Sequence, residues 1–265
     1  MEYISNFFSV LLLSTSSLEG YGLHRIFSIA KDAGYDGIDL QMNPKIYDVW
    51  DATYVKELSM LTGVPVLSLT APDKGMNQDK VDAIFQMAEL LGSQILTFSP
   101  PHITDRHPEW FLQFLPKAKK DTGLSVCVQN VPPKFKFFII PEYKNATLAE
   151  IKKLTGDTTL DVASVDSSTG TDILKAEKVL GNSIKNIFLS DKQGRKNDLL
   201  PGNAGGGMSH LPLESFLMKL KKSGYRGCIS LKVLPEELGV GSIAEVTQRL
   251  QSLHEYYKKY FLEFK

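Results

Sequence analysis

Ala33-Gly34-Tyr35-Asp36-Gly37-Ile38-Asp39-Leu40 reads as a helix end, a glycine turn and the opening of a buried strand. Gly34 stands where a helix stops in the left-handed conformation that a β-carbon resists, and Ile38 and Leu40 begin an apolar run. The phrase returns as Ser223-Gly224-Tyr225-Arg226-Gly227 ahead of another apolar run, and Leu91-Gly92, Thr122-Gly123 and Leu180-Gly181 repeat it with one glycine each. Working outward from these joints gives eight strands: Phe7–Leu13, Gly37–Gln41, Pro65–Leu69, Gln94–Phe98, Leu124–Gln129, Thr158–Val165, Ile184–Leu189 and Cys228–Val233. Nearly continuous apolar runs of this length are expected of a parallel sheet covered on both faces. Amphipathic stretches separate them. Between Asp79 and Leu91, for example, Val81, Ile84, Phe85, Ala88 and Leu91 recur at helical spacing.

Eight alternations with right-handed crossovers close most simply into a (β/α)8 TIM barrel. An open doubly wound sheet is the alternative, but Ser14-Thr15-Ser16-Ser17 after the first strand is not its glycine fingerprint. The 265 residues suit one such domain, 1–265, and no Ser/Gly/Pro-rich linker divides them.

Composition narrows the function classes. Lys+Arg and Asp+Glu balance at 30 each, without the basic excess of a nucleic-acid binder. Cys127 and Cys228 lie in apolar runs, which predicts two buried thiols and a cytoplasmic protein. The run Phe7–Leu13 follows Glu2 rather than a basic segment and is too short to span a bilayer, so neither a signal peptide nor a membrane partner is expected.

A TIM barrel carries its function at the C-terminal ends of its strands. That criterion selects Ser14, Gln41, Thr70, Ser99, Gln129, Asn130, the segment Asp161–Asp166, the segment Phe188–Asp191, and Lys232. After strand five, Val131–Glu142 is rich in Phe, Ile and Pro; it would either lid a ligand or pack on neighbouring loops. After strand seven, Lys192, Arg195 and Lys196 precede a loop containing Gly205 and Gly206. Basic side chains beside flexible backbone donors make an anion site at this end of a barrel, or simply a solvated connection. The last helix sets Ile243, Val246, Leu250, Leu253 and Tyr257 on one face for the barrel wall. The additional aromatics Tyr256, Tyr260, Phe261 and Phe264 make it a candidate homodimer contact.

In order and spacing, the joints together with Leu67-Ser68-Leu69-Thr70-Ala71-Pro72, Val128-Gln129-Asn130, Thr159-Leu160-Asp161-Val162-Ala163-Ser164, Ile187-Phe188-Leu189-Ser190-Asp191 and Leu200-Pro201-Gly202 resemble the xylose isomerase-like TIM barrels. These include sugar phosphate isomerases/epimerases and endonuclease IV. The resemblance implies a divalent metal held by Glu, Asp, His and Glu from strands five to eight. The matching positions here are Gln129, Asp161, Phe188 and Lys232, so only the aspartate is kept. Ser164 and Thr70 stand where the family often has histidine. Asp166 is an alternative strand-six counterpart, with Thr169 then at the histidine position.

Phe188 offers no donor atom, and Lys232 would place a positive charge where a cation should sit. The expectation is therefore no metal and no cofactor at this centre, with Lys232 paired to Asp161 first or Asp166 second. A relocated metal set could use His102, Asp105, His107 and Glu142.

Three functions follow. One is a pseudoenzyme-like or catalytically altered barrel binding a small polar or phosphorylated sugar-like ligand through Gln129, Asn130, Ser164 and the basic loop. Another is a metal-independent isomerase or epimerase, with Glu142 or Asp166 as base and Lys232 as electrophile. The third is an interaction protein using the barrel as a scaffold. An endonuclease needs a histidine-rich zinc cluster that these strands do not supply.

Overall fold

The computed structural model describes residues 9–105, 108–137, 139–165, 171–194, 196–202, 211–239 and 241–264. Eight parallel strands close into a barrel: β1 Val10–Ser14, β2 Gly37–Gln41, β3 Val66–Thr70, β4 Ile95–Phe98, β5 Ser125–Gln129, β6 Asp157–Asp161, β7 Ile184–Leu189 and β8 Cys228–Leu231. Closure is made by β1, which pairs Leu12 with Gly37 on one side and Val10 with Cys228 on the other. The helices are α1 Leu23–Asp32, α2 Ala52–Thr62, α3 Gln78–Leu91, α4 Pro108–Thr122, α5 Leu148–Thr155, α6 Ile173–Leu180, α7 Leu213–Lys222 and α8 Ile243–Tyr257.

The two copies of the opening phrase form the same cap. Gly34 and Gly224 have φ of 81° and 73°. Gly34 N donates to Lys31 O and Tyr35 N to Ala30 O; Gly224 N and Tyr225 N repeat those bonds to Lys221 O and Leu220 O. This double closure satisfies carbonyls that the last helical turn would otherwise leave unpaired. Gly37 has a different reason to be glycine, since a β-carbon there would lie 2.8 Å from Pro65 O and against Leu12 and Leu67 inside the barrel.

Alternate strand residues point inward. At the N-terminal end they make an apolar plug of Leu12, Leu67, Ile95, Cys127 and Cys228. Both cysteines are free and buried, and burial raises both thiols above their ordinary range, Cys228 to about 12. Above the plug the inward residues turn polar: Asp39, Ser68, Thr97, Thr159, Asn186 and Ser230 are all buried. Outside, the helices cover the strands with one continuous aliphatic and aromatic core.

Some expected bounds change. The sixth strand ends at Asp161, not Val165, because the Asp161 carboxylate accepts from Ser164 N at 3.1 Å and turns the chain. The segments after β5 and β7 are not plain loops. Phe135–Lys136 pairs antiparallel with Ile140–Pro141, and Asp191–Gln193 with Lys196–Leu199. On α8 and beyond, Tyr257 and Phe261 are buried, and the Tyr257 hydroxyl donates to Ser9 O at 3.1 Å. Among the described residues no helix is long and apolar enough to cross a membrane.

Candidate functional site at the barrel mouth

The ends of β5, β6 and β8 converge on one ion pair. Lys232 Nζ lies 3.0 Å from Asp161 Oδ2. The aspartate side chain is almost fully buried, while the lysine keeps 22% of its surface exposed to the mouth. Phe188 lies beneath it, with the ammonium 5.0 Å from the ring centroid. The ring that supplies no metal donor therefore supplies a cation–π face. Burial alone would lower the lysine's hold on its proton, but Asp161, Asp198 and Asp39 outweigh it and hold the ammonium above the usual lysine range.

Asp161 is fixed from its backbone. Asn130 Nδ2 donates to Asp161 O at 2.9 Å, and Asp161 N donates to Asn130 Oδ1 at 2.8 Å. This side-chain clamp across two strands leaves the carboxylate free to face the lysine. Gln129 Nε2 donates to Ser99 Oγ, which donates to Asp73 Oδ1, and the Tyr143 hydroxyl donates to Asp73 Oδ2. Gln129 Oε1 is buried without a hydrogen-bond partner.

Two further acids complete the electrostatics: Asp39 belongs to the opening phrase but not to the strand-end candidates, and Asp198 lies outside the strand motifs. Asp39 on β2 is fully buried. It accepts from Thr70 Oγ1 at 2.9 Å, while its Oδ2 and the nearby Ser68 hydroxyl have no partner of acceptable geometry. Burial raises its carboxyl above the ordinary range, against the pull of surrounding hydroxyls and Lys232. Asp198, in the ribbon after β7, has a left-handed φ of 58° and accepts from Ser190 Oγ at 3.2 Å. Burial also raises Asp198; Lys232 opposes that shift and Asp161 adds to it. Asp198 leaves no trace in the strand pattern, because only the return of the ribbon carries it over the mouth.

A cavity of about 510 Å³ opens here, lined by Gln129, Asn130, Asp161, Ser164, Asp198 and Lys232, with Asp73, Lys134 and Tyr143 on its wall. Glu142 lies outside that lining, 3.7 Å from His102 Nε2. Asp105 uses its two oxygens on the backbone N–H groups of His102 and Gly75. Among the described residues, no group of three or more His, Cys, Asp or Glu side chains is arranged to hold a metal. Lys192 Nζ reaches Val165 O at 3.4 Å, and Lys196 Nζ pairs with Glu237 at 2.6 Å. Asp166, Thr169, Arg195, Gly205, Gly206 and His107 lie outside the described residues.

The closed parallel barrel is shared with solved structures of known kind. The fold is that of the xylose isomerase-like TIM barrels. An AP endonuclease, family 2, from Brucella melitensis is 16% identical and superposes with a TM-score of 0.71 over 96% of this chain and 99% of its own. The D-psicose 3-epimerase with D-tagatose from Clostridium cellulolyticum H10 is 12% identical, with a TM-score of 0.67 over 95% and 99%. A xylose isomerase domain protein from Alicyclobacillus acidocaldarius is 17% identical, with a TM-score of 0.67 over 96% and 98%. No family model and no curated protein matches the sequence. At these identities the likeness shows the fold alone and leaves the chemistry to the site.

Proposed function

We propose that this xylose isomerase-like barrel binds a small polar, sugar-like ligand at its mouth, on a centre where the Lys232 ammonium has replaced a divalent metal. The carrying observation is the Lys232–Asp161 pair at 3.0 Å, on the floor of the open cavity and backed by the Phe188 ring. With one N–H given to Asp161, the ammonium keeps up to two directed N–H donors for ligand oxygens in place of a Lewis acid. Gln129, Asn130, Ser164 and Tyr143 add amide and hydroxyl groups of the kind that read a polyhydroxylated compound. An open mouth of this volume favours a ligand site over a barrel used only as a scaffold. The epimerase and isomerase-domain neighbours supply the sugar-like class by analogy.

A second reading, proton transfer without metal, is favoured by Asp198. This raised carboxyl lines the same cavity as Lys232, so a base and an electrophile share one space. Asp198 serves that role better than Glu142, which is engaged with His102.

The test is a thermal-shift titration with D-tagatose, other ketohexoses and their phosphates, alongside elemental analysis of the purified protein. At least one compound should raise the melting temperature of the wild type, and less so that of the Lys232→Met/Asp161→Asn double variant. About one tightly held Mn, Zn or Co per chain, lost in an Asp161→Asn variant, would overturn the metal-free centre.

A further inference from the structure

The ribbon after β5 carries Lys134-Phe135-Lys136-Phe137 outward and Ile139-Ile140-Pro141 back. Phe137 and Ile139 are 82% and 78% exposed, and Phe135 and Ile140 are about half exposed. Four large apolar side chains bared on one tip are uncommon on a soluble surface. Phe137 also has a left-handed φ of 50°, which a bulky side chain resists and which glycine or asparagine would adopt at less cost. Both backbone and hydration disfavour the residue where it stands.

The base of the ribbon is built to hold that tip out. Glu142 N donates to Lys134 O, Ile103 N to Glu142 O, and Lys144 N to Pro101 O. His102 and Tyr143 bridge the two loops, with their rings edge-on at 5.2 Å. Glu142, the acid nearest the tip in sequence, is turned back to His102.

We infer that this tip docks on an anionic phospholipid surface, with Phe137 and Ile139 entering the headgroup boundary and the partly exposed Lys136 meeting the lipid charge. Apolar residues alternating with lysines match the two forces that hold a peripheral protein there, apolar burial and attraction to anionic headgroups. A second copy of the chain fits less well. A two-fold contact through the tip would bring like lysines together, and the tip is far smaller than the roughly 20–30 residues a side of a stable interface. Surface docking needs no spanning helix, so it revises the expectation of no membrane partner without requiring one.

The experiment is co-sedimentation of the full chain with vesicles of phosphatidylcholine alone and of phosphatidylcholine mixed with phosphatidylserine, at low and high salt. The protein should bind the mixed vesicles, bind the neutral ones more weakly, and release as salt rises. Phe137→Ser with Ile139→Ser should lower the partition coefficient at least tenfold, and Lys136→Glu should remove the preference for phosphatidylserine. Melting temperatures matching the wild type show that the variants are folded. Three results would overturn the inference: no binding of the wild type to mixed vesicles, equal binding by the serine variant, or a concentration-dependent doubling of mass that the serine variant abolishes. The last would make the tip a protein–protein contact.

Discussion

The two ends of the barrel interior solve different problems. At the N-terminal end Leu12, Leu67, Ile95, Cys127 and Cys228 fill space with apolar volume. At the C-terminal end Asp161 and Lys232 fill it with opposite charges, and Asp39, Asp198 and Phe188 shape their field. Loss at the first end should depend on volume, and at the second on whether a partner is left behind. The barrel thus separates a region that stabilises from a region that can do chemistry, within one tube of hydrogen-bonded strands.

The largest effect expected is at the charged end. Lys232→Met should cost about 3–5 kcal/mol in urea unfolding, because Asp161 is left charged and buried. Combining it with Asp161→Asn should recover much of that loss, since the carboxylate in direct contact with Lys232 is then gone and only the weaker pull on Asp198 and Asp39 is missing. If the single variant is silent, the lysine is held by solvent and not by the aspartate.

At the apolar end, Leu12→Ala should cost about 2–5 kcal/mol through the cavity it opens. No second substitution at Asp161 or Lys232 should rescue it; rescue would mean the two ends are coupled.

A smaller effect, confined to a pH window, is expected at Asp39. Its folded-state carboxyl sits above the ordinary value of 3.8, so the folded chain holds that proton more tightly than the unfolded chain. The contribution is intact below 3.8 and is lost as pH rises through the raised folded value. Unfolding free energies of wild type and Asp39→Asn, measured across that range, should therefore diverge, with the wild type falling relative to the variant as pH rises. Parallel curves would place Asp39 in a more hydrated setting than its burial implies.

Much of this was legible in the chain, for reasons that can be assigned residue by residue. Gly34 and Gly224 announce their caps because a left-handed backbone restricts residue choice locally. The Asp161–Lys232 pair could be anticipated because strand ends of a closed barrel must converge, and an acid and a base stand at two of those ends. The overlong sixth strand shows the limit. Val162 and Val165 are apolar enough to continue it, and only the bond from Ser164 N to the Asp161 carboxylate stops it.

What the sequence by itself determined was local or periodic: the alternation of strand and helix, the caps, the two buried thiols and the acid and base at the mouth. The tertiary structure alone decided what depends on chain return. It placed Asp198 over Lys232, tied Asp73 to Tyr143 across 70 residues, turned Glu142 to His102, and lifted Phe137 into solvent. These contacts join segments with no fixed spacing between them. Their geometry follows from ribbon pairing and barrel closure, which no local pattern of residue types encodes.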